Sequence, residues 1–275
     1  MPAMQILLVL YVGLFGVLLG SFLGMAAVRI PARESIISPR SRCPQCRRTL
    51  AWYENIPLFS YLFLRGKCRS CGAKISFHYF FMEALTCILT LSAFFQLKPW
   101  PRFLAYLLLF LAPLLLLAVI DWRELVLPDV ITLPGIAAGF LLHWLDGKYF
   151  QPRLLPLSTA DLLLQSLVGA LAGAITLSLI AWLYFKLRHR EGMGVGDVKL
   201  AAMLGAVFGW KAIFFIFLLA SVLGILLGLF WILLRGRSVR ALLPFGTCLA
   251  AASLLYLFYG EPLLHAYIKF INNLI

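Results

Sequence analysis

Two aspartates stand where the chain is about to leave or enter an apolar run. Asp121 closes the run 103–120, and Asp197 sits in Gly192-Met193-Gly194-Val195-Gly196-Asp197-Val198-Lys199 just before the run that begins at Leu200. A carboxyl group at membrane depth is costly, and such groups line polar cavities or do chemistry. Two of them at one depth in a helical bundle can share a site and hold one proton between them. The ionised member can then take a proton from water while the other polarises a scissile carbonyl or protonates a leaving amine. This is aspartyl-protease chemistry, and it requires no metal at the site. The bland alternative is two helix caps. It suits Asp197, which opens a helix, but not Asp121, because the macrodipole at a helix C-terminus disfavours an anion. Asp129, after Pro128 and before a helix, is a rival partner whose blander reading is a cap.

Four cysteines form a second constellation. Cys43-Pro44-Gln45-Cys46 and Cys68-Arg69-Ser70-Cys71 are separated by 21 residues in the one long polar segment, 29–76. Two such knuckles supply four thiolates for a tetrahedral zinc, and four thiolates leave no open position for water, so the role would be structural. The alternative is four reduced cysteines in a loop. A polar segment this small buries little core, so a metal would be what folds it.

The elements that must position these groups are membrane helices. The chain is 63% hydrophobic and only 13% charged, far from the composition of a soluble domain. Its apolar runs predict an all-α integral membrane protein with about eight spans: 4–28, 77–97, 103–120, 130–145, 162–185, 194–210, 212–234 and 241–259. The sixth carries Asp197 at its start, and Gly20-Ser21-Phe22-Leu23-Gly24 in the first is suited to close helix contact. The domains expected are a first transmembrane helix (1–28), a cytoplasmic zinc-binding segment (29–76) and a seven-helix membrane domain (77–275). The net charge of +13 is read as the positive-inside bias rather than as a nucleic-acid surface. With the N-terminus outside, 18 Lys or Arg fall on the inner side and six on the outer. Both aspartates then lie at the inner membrane surface. Among the other polar residues, Glu83 lies near the inner surface, where pairing with a basic neighbour is one reading. His143 and His265 are expected at the outer interface, Cys87 and Cys248 in packing, and Trp52 and Tyr53 as interface anchors.

The motifs together resemble the bacterial type IV prepilin peptidase family along nearly the whole chain. The matching stretches are Gly20-Ser21-Phe22-Leu23, the two cysteine pairs around Trp52-Tyr53-Glu54-Asn55-Ile56-Pro57, and Asp121 with Leu127-Pro128-Asp129. Gly194-Val195-Gly196-Asp197-Val198-Lys199 and Pro244-Phe245-Gly246 complete the set. The resemblance implies that Asp121 and Asp197 are the catalytic pair of a membrane aspartyl protease of the bacterial inner membrane. It implies removal of a short basic leader from prepilins and pseudopilins of type IV pilus and type II secretion systems, after a glycine. It also implies methylation of the new N-terminal residue with S-adenosylmethionine as donor, and a role in that methyl transfer is the other reading open for Glu83. The chain departs from the usual pattern at Gly24, where Asn is usual, at Tyr79-Phe80, where Tyr-Pro is usual, and at Thr247-Cys248, where Pro-Phe usually follows the glycine. The competing readings are a peptidase without methyltransferase activity, a small proton-coupled transporter with the aspartates as a relay, and a non-catalytic scaffold. A transporter often shows internal repeats, and this sequence shows none.

Overall fold

The computed structural model describes residues 2–38, 40–150, 158–190, 193–235 and 243–274, with side chains described for all but 2–3, 234–235, 261 and 263–274. Gly192, Arg153, Arg237 and Arg240 lie outside the described residues, as do the side chains of Arg235, His265 and Lys269. The chain divides into two compact units, Met1–Phe103 and Leu104–Ile275. Every regular element of more than one residue pair is helical among the described residues. Six helices are long and apolar enough to cross a membrane: Met4–Arg29, Phe77–Gln96, Trp100–Glu124, Asp129–Phe150, Thr159–Arg188 and Trp210–Leu233. This is a multi-pass membrane protein.

The first unit is built on α1 (Pro2–Arg29) and, after a short α2 (Phe59–Phe63), on α3 (Phe77–Gln96). Glycines let α1 and α3 run antiparallel in close contact. A Cβ at Gly16 would lie 3.0 Å from Cys87 and Thr90, and one at Gly20 would lie 2.7 Å from the Glu83 backbone. Spacing small residues by four puts them on one helix face, which is how membrane helices approach without a polar seam. The connecting segment 30–76 holds two small hairpins, bridged at Arg42–Thr49 and at Lys67–Lys74.

In the second unit, α4 (Trp100–Tyr106) passes through a π turn, Leu107–Leu111, into α5 (Ala112–Glu124). Pro113 lacks the N–H that the i−4 carbonyl of Leu109 would accept, and a π turn is one way a helix absorbs that loss. α5 ends at Leu125 in a left-handed conformation, its N–H donated to the Asp121 carbonyl. α6 (Asp129–Leu145) continues through a second π turn to Phe150, where an outer loop was expected; the Tyr106 hydroxyl donates to Asp146 there at 2.8 Å. α7 (Thr159–Arg188) begins earlier than hydropathy indicates because Ser158 and Asp161 form a reciprocal capping box. α8 is Val195–Phe208, α9 is Trp210–Arg235 and α10 is Phe245–Leu274.

α8 is the buried centre of this unit. Leu200 to Val207 are all inaccessible to solvent or nearly so. At 14 residues it is about 21 Å long, shorter than a typical span. It runs antiparallel to α7, where Gly173 faces Ala201 and Gly169 faces Gly205. It runs parallel to α6, where Gly135 faces Met203 and Gly139 faces Ala206. The Ser166 hydroxyl donates to the Ala206 carbonyl at 2.7 Å and fixes the α7 register.

The α7–α8 approach makes a direct prediction. A Cβ at Gly205 would lie 2.0 Å from the Gly169 carbonyl oxygen, whereas one at Gly228 would meet only Leu243 Cδ1 at 3.8 Å. Gly205→Ala should therefore destabilise the purified protein by ~3 kcal/mol or more, the top of the overpacking range, and Gly228→Ala should not. Thermal melting in detergent measures both.

Candidate active site

Asp121 lies one turn before the end of α5 and is 4% exposed. Its own helix offers an unfavourable C-terminal dipole, and the structure supplies the compensation. The N–H of Thr247, third residue of α10, donates to Asp121 Oδ2 at 2.6 Å, and the Thr247 hydroxyl lies 2.9 Å from the same oxygen. The first turn of any helix has N–H groups without intrahelical partners, and a carboxylate placed there satisfies one and meets the positive end of the dipole. Asp121 therefore caps α10 from another helix.

Asp197 is the third residue of α8, in a first turn that starts from Gly194. Two glycines, Gly196 and Gly246, make room around the pair, and a third, Gly194, stands beside it. A Cβ at Gly196 would come within 2.9 Å of Leu127, one at Gly246 within 3.0 Å of both the Asp121 carboxyl and Leu127, and one at Gly194 3.8 Å from Asp197 Oδ2. Leu127, buried in the turn between α5 and α6, is thus the common neighbour of the α8 and α10 starts. The Asp121 carboxyl and the helix start that carries Asp197 thus come together around Leu127 and Gly246. Two carboxyls so placed can hold a proton between them and act on one water.

Asp129, the rival partner, is engaged elsewhere. Lys199 Nζ donates to both of its carboxylate oxygens at 2.7 Å. The pair ties the first turn of α6 to α8 two residues beyond Asp197, and its carboxylate is more than half exposed. In the sequence Leu127 and Gly246 stand only as members of matching motifs and Thr247 only as a departure from the usual pattern; none has an assigned role beside Asp121.

The four cysteines converge within the first unit. Their sulfurs all lie within 4.8 Å of one another, and Cys43 Sγ is 3.8 Å from Cys71 Sγ. The edge of a zinc tetrathiolate with bonds of about 2.3 Å is about 3.8 Å, so the set fits a tetrahedral metal. Each hairpin builds the same knuckle. The N–H of Cys43 donates to the Arg48 carbonyl and that of Cys68 to the Ala73 carbonyl, with Arg47 and Gly72 left-handed at the matching position. The N–H groups of Cys71 and Ser70 hold the Cys68 thiol down to about 6, and those of Cys46 and Gln45 lower Cys43. The Ala73 N–H favours the thiolate of Cys71, but desolvation and the neighbouring sulfurs outweigh it and push that thiol up to about 11. Such backbone donors ready a sulfur for a cation. Beside the knuckles, Glu54 accepts from the Ala51 N–H at 2.8 Å and from Arg48 at 2.6 Å, which together hold it below the usual carboxylate range. Arg69 lies over the Tyr53 ring and donates to its hydroxyl.

Glu83 is also buried, and no basic side chain bonds to it among the described residues. It accepts the Leu58 N–H at 2.6 Å and a bond from Ser21. Leu58 has φ 61, uncommon for a residue with a Cβ, so Glu83 holds a strained turn after Ile56-Pro57 against α3. His143 bonds back to the Gly139 carbonyl within α6.

The knuckle geometry predicts about one bound zinc per chain in protein purified without chelator, measured by elemental analysis. Replacing Cys43 and Cys68 together with Ser should abolish it and make the segment 29–76 sensitive to proteolysis.

Comparison with known proteins bears on both units. The model of the bacterial peptidase A24 N-terminal domain matches residues 14–97, which include the four cysteines and Glu83. The model of the type IV leader peptidase family matches residues 107–229, which include Asp121 and Asp197. The chain is 35% identical to the prepilin leader peptidase/N-methyltransferase of Aeromonas salmonicida strain A449, covering 93% of this chain and 92% of that protein. It is 37% identical to the protein of the same name from Bacillus subtilis strain 168, covering 93% and 96%, and 36% identical to that of Xanthomonas campestris pv. campestris, covering 93% and 92%. No solved structure matches the chain significantly. Matched in its first helix and on to the ninth by models of a peptidase family, and over 93% of its length by relatives of that name, the chain is an enzyme belonging to the type IV leader peptidase family.

Proposed function

We propose that this chain is an intramembrane aspartyl endopeptidase that removes the basic leader from type IV prepilins and pseudopilins, with Asp121 and Asp197 as its catalytic pair. The observation that carries this reading is the meeting of α5, α8 and α10 at one end of the second unit. There a buried carboxyl held from one side by Thr247 stands with Gly246 and Leu127 against the start of a buried helix whose third residue is a second carboxyl. One carboxylate removes a proton from water as the oxygen attacks the scissile carbonyl. The protonated partner gives its proton to the departing amine, so the leader leaves as a carboxylic acid and the pilin with a new amino terminus. The names of the relatives support prepilins as the substrate and N-methylation as a second step.

S-Adenosylmethionine would supply the methyl group to that new amine. Glu83 is the candidate for this half of the activity on the first unit, where it fixes the turn at Leu58. We read the cysteine cluster as a structural zinc site in a cytoplasmic segment, 29–76. We read α8 and the apolar part of α10, Phe245–Gly260, as two further crossings, giving eight spans and an outside N-terminus in the inner membrane. The aspartates then face the cytoplasm, where a leader is first presented.

Leader loss from a synthetic prepilin, followed by mass, tests the pair. Asp121→Asn and Asp197→Asn should each lower cleavage by at least ~1000-fold while the protein stays folded. The double change should be little worse, because groups acting on one water fail as a unit. Asp129→Asn should retain most activity, since an exposed ion pair contributes at most ~1 kcal/mol. Activity of both single variants at the catalytic positions would end the aspartyl reading and return the transporter or scaffold. Orientation is tested separately in intact cells. A thiol reagent that does not cross membranes should label Gly147→Cys and leave Ser35→Cys unlabelled.

A further inference from the structure

All hydrogen bonds to Asp121 among the described residues end on one oxygen, Oδ2. They come from the N–H of Thr247 at 2.6 Å and its hydroxyl at 2.9 Å. The same hydroxyl lies 2.9 Å from the Ala118 carbonyl, one turn back on α5. A hydroxyl has one proton to donate and two lone pairs to accept with. It therefore donates to one of these two acceptors at a time. With Asp121 ionised, the Thr247 N–H and O–H both donate to Oδ2. With a proton on Oδ1, Oδ2 is the carbonyl oxygen of the acid and still accepts from both. Oδ1 accepts neither bond, so it is the oxygen left to gain and lose the proton.

We propose that Thr247 is a positioning residue for the reaction. It keeps the Asp121 carboxyl in one orientation as its proton comes and goes, pinning Oδ2 and presenting Oδ1 to water and substrate. The fit is close on every side, since a Cβ on Gly246 would lie 3.0 Å from the carboxyl. The backbone N–H and the hydroxyl hold the same oxygen in both states, more tightly when the carboxyl is ionised. This rests on the reading of Asp121 and Asp197 as the catalytic pair.

The test compares Thr247→Val, Thr247→Ser and Asp121→Asn in the purified full-length protein with a prepilin peptide. Valine keeps the shape and the backbone N–H and loses the hydroxyl. Loss of a hydrogen bond to a charged group then predicts a fall of about tenfold or more in kcat with KM little changed. Serine keeps the hydroxyl and should restore kcat to within a few-fold of the parent. A structural role would produce a different pattern: full kcat in the valine variant, or equal losses in valine and serine, overturns the proposal. If the valine variant does not fold, Thr247→Ala takes its place in the same comparison. Infrared difference spectra supply an independent readout. The protonated carboxyl band absent from Asp121→Asn should shift in the valine or alanine variant and stay in place with serine, and an unshifted band overturns the proposal. Full activity of Asp121→Asn would instead bring down the catalytic-pair reading itself, whereas an inactive Asp121→Asn beside an unaffected valine variant removes Thr247 alone.

Discussion

The backbones of α7 and α8 come together until no side-chain atom fits between them, and the second unit depends on that approach. A Cβ at Gly169 would lie 2.1 Å from the Gly205 carbonyl oxygen, and one at Gly173 would lie 2.3 Å from that of Ala201. In lipid there is little hydrophobic gain from bringing apolar helices together, so packing of this kind and interhelical hydrogen bonds must hold them. Here both are present, because Ser166 bonds across the same seam. α6 closes the opposite side of α8 through Gly135 and Gly139 and ties its start with the Asp129–Lys199 pair. A short helix gripped along both flanks has no freedom to slide. Asp197 inherits that fixed position.

Asp121 is placed by a different device. Its helix presents it at the wrong end of a dipole, and α10 corrects this by offering its own N-terminus. One contact thus does structural and electrostatic duty. It joins α10 to α5, and it keeps an otherwise unfavourable carboxyl in a buried place. The macrodipole cost read at Asp121 from the sequence is offset in the folded chain, because α10 supplies donors to the same carboxyl.

Six of the eight expected spans, all but 194–210 and 241–259, were legible because hydropathy is a property of consecutive residues. The helix ends were less so, because caps rather than hydropathy set them. Ser158 with Asp161 starts α7 before the apolar run begins, and Leu125 ends α5 after Asp121 rather than at it. The cysteine cluster was legible for the same local reason, since each knuckle is a turn of a few residues. The partners of the aspartates were not. Thr247 is 126 positions from Asp121, and Lys199 is 70 from Asp129; spacing along a chain carries no information on such meetings. Glu83 is a similar case. Its place near the start of an apolar run left a basic partner as one of two readings, and the fold supplies the N–H of Leu58 instead.

The contact between Gly169 and Gly205 is reciprocal, because each forbidden Cβ would strike the other residue's backbone. Most tight contacts between side chains leave evolution an escape, in which one partner grows while the other shrinks. Here neither residue can shrink, and each already occupies the floor of the size scale. Sequence drift at this crossing is therefore blocked from both sides at once. A lineage that admits alanine at either position must first move two helices apart, and with them the aspartate that α8 carries.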